Sequence, residues 1–156
     1  MKYLYVLFLV VATAWGCQDV KVGCLDTSNA EYSPDTMLVR KELATSLAEA
    51  GGDMTIYRND RNRKTRGASW VTPQIQGIVG TAPLSYSLYE VRAMDGGDAE
   101  IFKQELTVRG GGIMEVPYIP GSPNGRYIVS LKVENDEYSA ILEDVFTFVV
   151  RQSLNE

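Results

Sequence analysis

Residues Pro123 to Val150 read PNGRYIVSLKVENDEYSAILEDVFTFVV, and their pattern decides the fold class. Tyr127, Val129, Leu131 and Val133 alternate with Ile128, Ser130, Lys132 and Glu134. A side-chain period of two puts the first set on one face, as a half-buried β-strand requires. Asn135-Asp136-Glu137 forms a polar turn, after which Val145 to Val150 is apolar at nearly every position. Such a run suits a central strand covered on both faces.

Working outward, Tyr118 to Gly125 is a proline- and glycine-rich loop that feeds this pair. Before it, Ile113, Met114 and Val116 make a short strand entered from a turn at Arg109 to Gly112. Ile101 to Val108 is expected as a return strand from Asp95-Gly96-Gly97-Asp98, which has hairpin-turn chemistry. Leu84, Tyr86 and Leu88 share one parity, and Met54 to Tyr57 reads as a further short strand. Tyr32 to Ala50 supports two readings. Ser33-Pro34 with Gly51-Gly52 downstream marks a helix from cap to stop. The other reading, preferred because the rest of the chain is β, makes Thr36 to Leu43 the first strand, with a short helical or irregular segment after it. About seven short strands with turn signals every 8–12 residues are the pattern of an all-β sandwich. It is expected over residues 32–151, followed by a tail at 152–156.

Length and composition agree with one globular domain. The chain has 156 residues, 45% hydrophobic and 22% charged, enough to bury a core. A net charge of −5 leaves nucleic-acid binding without an electrostatic basis. There is no histidine, so the usual general base and the commonest zinc ligand are both missing. Asp95, Asp98 and Glu100 could offer oxygens to calcium, but their spacing matches no calcium-binding loop, and neither metal nor cofactor is expected.

The first sixteen residues read as an export signal, residues 1–16. Lys2 supplies the positive start, and Tyr3 to Ala14 is an apolar core too short to span a bilayer. Ala14 and Gly16 before Cys17 resemble a bacterial lipobox, with Trp15 where most lipoboxes carry a small residue. On that reading Cys17 is the lipidated first residue, and 17–31 is a tether. The alternative is cleavage after Ala14, at Ala12-Thr13-Ala14, which would free Cys17 and Cys24 for a disulfide in an oxidising compartment.

Gly125 to Asn135 resembles the G-x-Y-x-h-x-h-x-h-x-N strand of PKD-like and other immunoglobulin-like bacterial domains. The resemblance implies a tyrosine corner at Tyr127, its hydroxyl bonded to nearby backbone. Gly77 to Tyr86 is similar to the G-x-x-P-h-x-Y opening of the same modules. Together with the signal region, the chain resembles small surface lipoproteins of the Bacteroidetes type. That likeness implies a protein of the outer membrane, on its cell-surface or periplasmic face, accompanying TonB-dependent nutrient uptake. Its partners would be the membrane, through lipid on Cys17, and a glycan or an outer-membrane transporter complex.

For a binding function the sequence offers two features. Arg58 to Arg66 carries five basic residues in nine, against the acidic balance of the chain. It reads as a solvated loop, as an anion or acidic-glycan patch that includes Arg61 and Arg63, or as a protease-processing site. After signal removal Trp70 is the only tryptophan. With Tyr57 and Tyr118 it could form a sugar-stacking platform, or it could pack in the core as tryptophans of such folds do. No catalytic constellation is present, so the expectation is a non-catalytic binding protein of the cell envelope, for glycan or nutrient capture or adhesion. The alternative is a fimbrial or assembly subunit, processed in the 58–66 loop to release a strand for exchange.

Overall fold

A computed structural model describes residues 23–154. The signal segment, Cys17 and most of the expected tether lie outside the described residues. The decisive stretch forms β8 (Gly125–Glu134) and β9 (Ser139–Arg151). Tyr127, Val129, Leu131 and Val133 are each fully buried, as the alternation requires. The turn is closed by Asn135, whose side-chain oxygen accepts from the N–H groups of Glu137 (3.1 Å) and Tyr138 (2.8 Å).

β9 and β8 are the two inner strands of a four-stranded sheet ordered β2-β9-β8-β5, with β2 (Thr36–Arg40) parallel to β9 and β5 (Ser85–Met94) antiparallel to β8. Phe146, Phe148 and Val150 are buried, whereas Val145, Thr147 and Val149 are only half-buried. The second face of β9 is therefore not fully covered, contrary to expectation. A three-stranded sheet, β3 (Trp70–Val71), β7 (Met114–Val116) and β6 (Thr107–Val108), shares one core cluster with the inner face of the larger sheet. The fold is mostly β, built from several sheets, none of them closed.

Two expected β or loop segments are helices. Met54–Arg66 is helix α1 where a strand and a basic loop were expected. Asp53 caps it, accepting from Thr55 N (2.7 Å) and Ile56 N (3.2 Å), and Gly67 ends it at φ 60°. Arg63, Lys64 and Arg66 in its last turn complement the helix dipole. The processing site expected in a 58–66 loop is thus regular helix, without the extended backbone a protease needs. Ala99–Glu105 is helix α2 where a return strand was expected. Asp98 caps it through Glu100 N and Ile101 N, and its remaining residues are mostly good helix formers. Phe102 faces inward and stacks on Tyr127, ring centroids 4.1 Å apart.

The described residues at either end, 23–31 and 152–154, are more structured than a tether and tail. β1 (Leu25–Asp26) pairs with β4 (Val79–Gly80), and Glu31 bridges Gln76. Asn135 Nδ2 donates to the carbonyls of Cys24 (3.0 Å) and Thr81 (3.2 Å), tying residue 24 to the tip of the β8–β9 hairpin. Gly77 makes this join possible, because at φ 76° an added Cβ would lie 1.7 Å from Asn29 O. At the other end Gln152 exchanges hydrogen bonds with Glu42, so the domain extends past residue 151. Cys24 keeps a free, exposed thiol.

Tyr127 has the hydrogen bonding expected of a tyrosine corner. Its hydroxyl donates to Pro123 O (2.7 Å) and accepts from Asp98 N (3.2 Å). The glycine of the same motif is required sterically: a Cβ on Gly125 would stand 2.6 Å from Gly97 N.

Candidate anion-binding cleft

Helix α1 has no apolar stripe to hold it to the domain. Its inward line is Ile56, Asp60 and Arg63, at i, i+4 and i+7, and only Asp60 is fully buried. Asp60 receives a two-pronged ion pair from Arg40 at the end of β2, with Nη1 to Oδ2 at 2.8 Å and Nη2 to Oδ1 at 2.7 Å. Ala44 N adds a third bond to Oδ2 at 2.9 Å. Parallel N–H donors matched to carboxylate geometry are what make arginine suited to a buried pair.

Arg63 makes the second attachment. Its guanidinium lies 3.7 Å over the Trp70 ring, with that of Arg40 5.7 Å away from the same ring. Burial is the main cause lowering the Arg63 pKa; Arg40 adds to the shift and Asp60 opposes it. Trp70 is 6% exposed, and its indole N–H donates to Tyr118 O at 3.2 Å. Trp70 is therefore not a stacking platform for a ligand. Its face is covered by Arg63, so both residues belong to the seat of the helix.

This seat leaves Tyr57, Arg61 and Lys64, also at i, i+4 and i+7, along a neighbouring face of α1. Two cavities open beside them. The larger, about 600 Å³, lies between residues 40–45, Lys64, Tyr118 and the Ser153–Leu154 segment. The smaller, about 170 Å³, is lined by Tyr57, Arg61 and Lys64. Ala44, Thr45 and Lys64 border both, so the two form one cleft. Of the residues singled out in the sequence, Tyr57, Arg61 and Tyr118 reach it. Lys41, Thr45 and Lys64 join them.

The charges around the cleft are unusual for this protein. Arg92, Lys103, Arg109, Arg126 and Lys132 each form an ion pair with a carboxylate. Among the described residues Lys41, Arg58, Arg61, Lys64 and Arg66 form none. Two carboxylates, Glu42 and Glu49, also line the larger cavity; each is hydrogen-bonded to a neutral group and keeps its negative charge. Glu42 accepts from the Gln152 amide at 2.6 Å. Glu49 accepts from Thr45 N (2.7 Å) and Thr45 Oγ1 (2.8 Å), bonds that hold its carboxyl below the usual range. Of the five cations without an ion pair, Lys41, Arg61 and Lys64 line the cleft, and Arg58 and Arg66 stand elsewhere on α1.

The acidic residues Asp95, Asp98 and Glu100 each have a partner within the domain. Asp98 caps α2, Asp95 lies 3.7 Å from Arg126, and Glu100 pairs with Lys103 at 2.7 Å. Among the described residues no group of three or more His, Cys, Asp or Glu is placed to hold a metal, and no helix is long and apolar enough to cross a membrane.

Neither family models, nor curated proteins, nor solved structures gave a match to this chain.

Proposed function

We propose that this chain is an exported, lipid-anchored binding module of the cell envelope, an immunoglobulin-like β-sandwich that captures an acidic glycan in nutrient uptake or adhesion. The observation that carries the reading is the presence in one cleft of Lys41, Arg61 and Lys64, three cations that form no ion pair among the described residues. Alongside Glu42 and Glu49 and apolar residues such as Leu43 and Ile119, the lining offers hydroxyls and phenols, which suit sugars: Thr45, Tyr57, Tyr118 and Ser153. The tyrosine corner and the shared core of two sheets support the immunoglobulin-like assignment.

Residue 24 and the cleft stand at opposite ends of the β8–β9 pair. Residue 24 is tied to the Asn135 hairpin tip, while the cleft begins at Arg40, which pairs in register with Arg151 at the far end of β9. A ten-residue strand such as β8 measures about 30 Å. The chain from Cys17 to Gly23 reaches at most about 22 Å. A lipid on Cys17 would hold the hairpin tip near the bilayer and turn the cleft outward, favouring a ligand from the medium over a lipid headgroup.

Binding of polygalacturonate and of a neutral glucan to the mature protein tests the glycan reading by calorimetry. The acidic polymer is expected to bind and the neutral one not. Lys64→Gln combined with Arg61→Gln should weaken binding by tenfold or more, since charge-assisted hydrogen bonds contribute about 1.5–3 kcal/mol each. Affinity should also fall as salt rises, because the cations are exposed. Equal binding of both polymers would refute the reading. Palmitate labelling in cells tests the anchor: wild type should incorporate it and Cys17→Ala should not.

A further inference from the structure

The cations of the cleft do not converge on one point. Lys41 lines only the larger cavity, Arg61 only the smaller, and Lys64 both. A single phosphate or carboxylate would be gripped by a ring of donors around one centre. Here the charges stand in series, each cavity with its own tyrosine, Tyr118 in one and Tyr57 in the other.

We infer that the cleft holds two subsites joined at Lys64, and that its ligand is a linear acidic oligosaccharide with negative charges on successive sugars. This inference rests on the glycan-binding reading above and specifies the ligand for that site. One sugar carboxylate meets Lys41 and Lys64 beside Tyr118, and the chain passes over Thr45. The next charged sugar meets Lys64 and Arg61 beside Tyr57. The aromatic faces supply apolar contact for the sugar rings, and the cations supply register. Asp60, Arg63 and Trp70 line neither cavity, and Arg40 borders the larger one with its guanidinium committed to Asp60; together they hold α1 in place beside the two cavities.

The test is a chain-length series of galacturonic acid, from monosaccharide to pentamer, titrated into the mature protein at low salt. Affinity is expected to rise by tenfold or more between the monomer and the trimer and then level off once both subsites are filled. Lys64→Gln should weaken binding at every length. Arg61→Gln should leave the monomer unaffected and remove the gain on lengthening, and Lys41→Gln should weaken the monomer as well. All three side chains are at least partly exposed, and circular dichroism would confirm folded variants. Equal affinity for monomer and trimer would overturn the two-subsite arrangement while leaving acidic-glycan capture standing. Failure of folded protein to bind any member, or Lys64-dependent binding to phosphatidylglycerol vesicles in its place, would overturn both.

Discussion

Replacing Asp60 with alanine is expected to lower the free energy of unfolding by about 3–5 kcal/mol, although the residue belongs to a largely exposed helix. The Asp60 side chain is 0% exposed and that of Arg40 7%. Taking both charges out of water is costly, and their attraction offsets the cost only while the pair is intact. Alanine at 60 leaves the Arg40 guanidinium and the Ala44 N–H facing a gap with no acceptor. Urea denaturation of wild type and variant reads the loss directly as a lower midpoint. Helical signal near 222 nm should also fall in the native baseline, because Asp60 is the one fully buried side chain of α1. The double replacement Asp60→Leu with Arg40→Met removes both charges and should recover most of the loss. A single-variant loss below about 1 kcal/mol would mean that the pair does not hold the helix, and the account of the cleft would lose its foundation.

The same residue explains why α1 was not legible in the sequence. Helices announce themselves by an apolar stripe at 3.6-residue spacing. The inward line of α1 is Ile56, Asp60 and Arg63, and its docking partners Arg40 and Trp70 come from other segments. Met54-Thr-Ile-Tyr57 contains residues that favour strands, and nothing local opposes that reading. The surviving signals were the caps: Asp53 after two glycines and Gly67 after a basic turn. Helix α2 was hidden differently, being seven residues long and too short to show a period. By contrast, β8 was legible because its inward positions lie against one continuous core, so burial follows the period of two, whereas β9 was legible as a strand from its apolar run but not in its half-open second face. The Tyr57–Arg61–Lys64 face could have been read once a helix was granted. Lys41 and Tyr118 could not, because only tertiary folding brings their loops to α1. Of the two sequence readings of Trp70, core packing is the one its burial supports.

Phe102→Ala should be the comparable loss in the core, about 3–5 kcal/mol. Phe102 is fully buried, stacked at an interplanar angle of 9° on Tyr127 and 5.4 Å from Phe148. It is the one fully buried side chain of α2, so its removal takes both the transfer energy of the ring and the packing of the helix against β8. At about 2–4 °C per kcal/mol for a chain near this size, the melting temperature should drop by roughly 6–20 °C. The loss should not add simply to that of Tyr127→Phe. The Tyr127 hydroxyl accepts from Asp98 N at the start of α2, so the two residues hold one helix to one strand. A double-mutant cycle should return a coupling of about 0.5–3 kcal/mol. Binding tells this loss apart from a change at the cleft. Phe102 lines neither cavity, so acidic-glycan affinity measured well below the melting temperature should change by less than about threefold, whereas Lys64→Gln should change affinity and leave stability nearly as it was. If Phe102→Ala left stability within about 1 kcal/mol of wild type, the core between α2 and β8 would not be the close-packed contact that its burial implies.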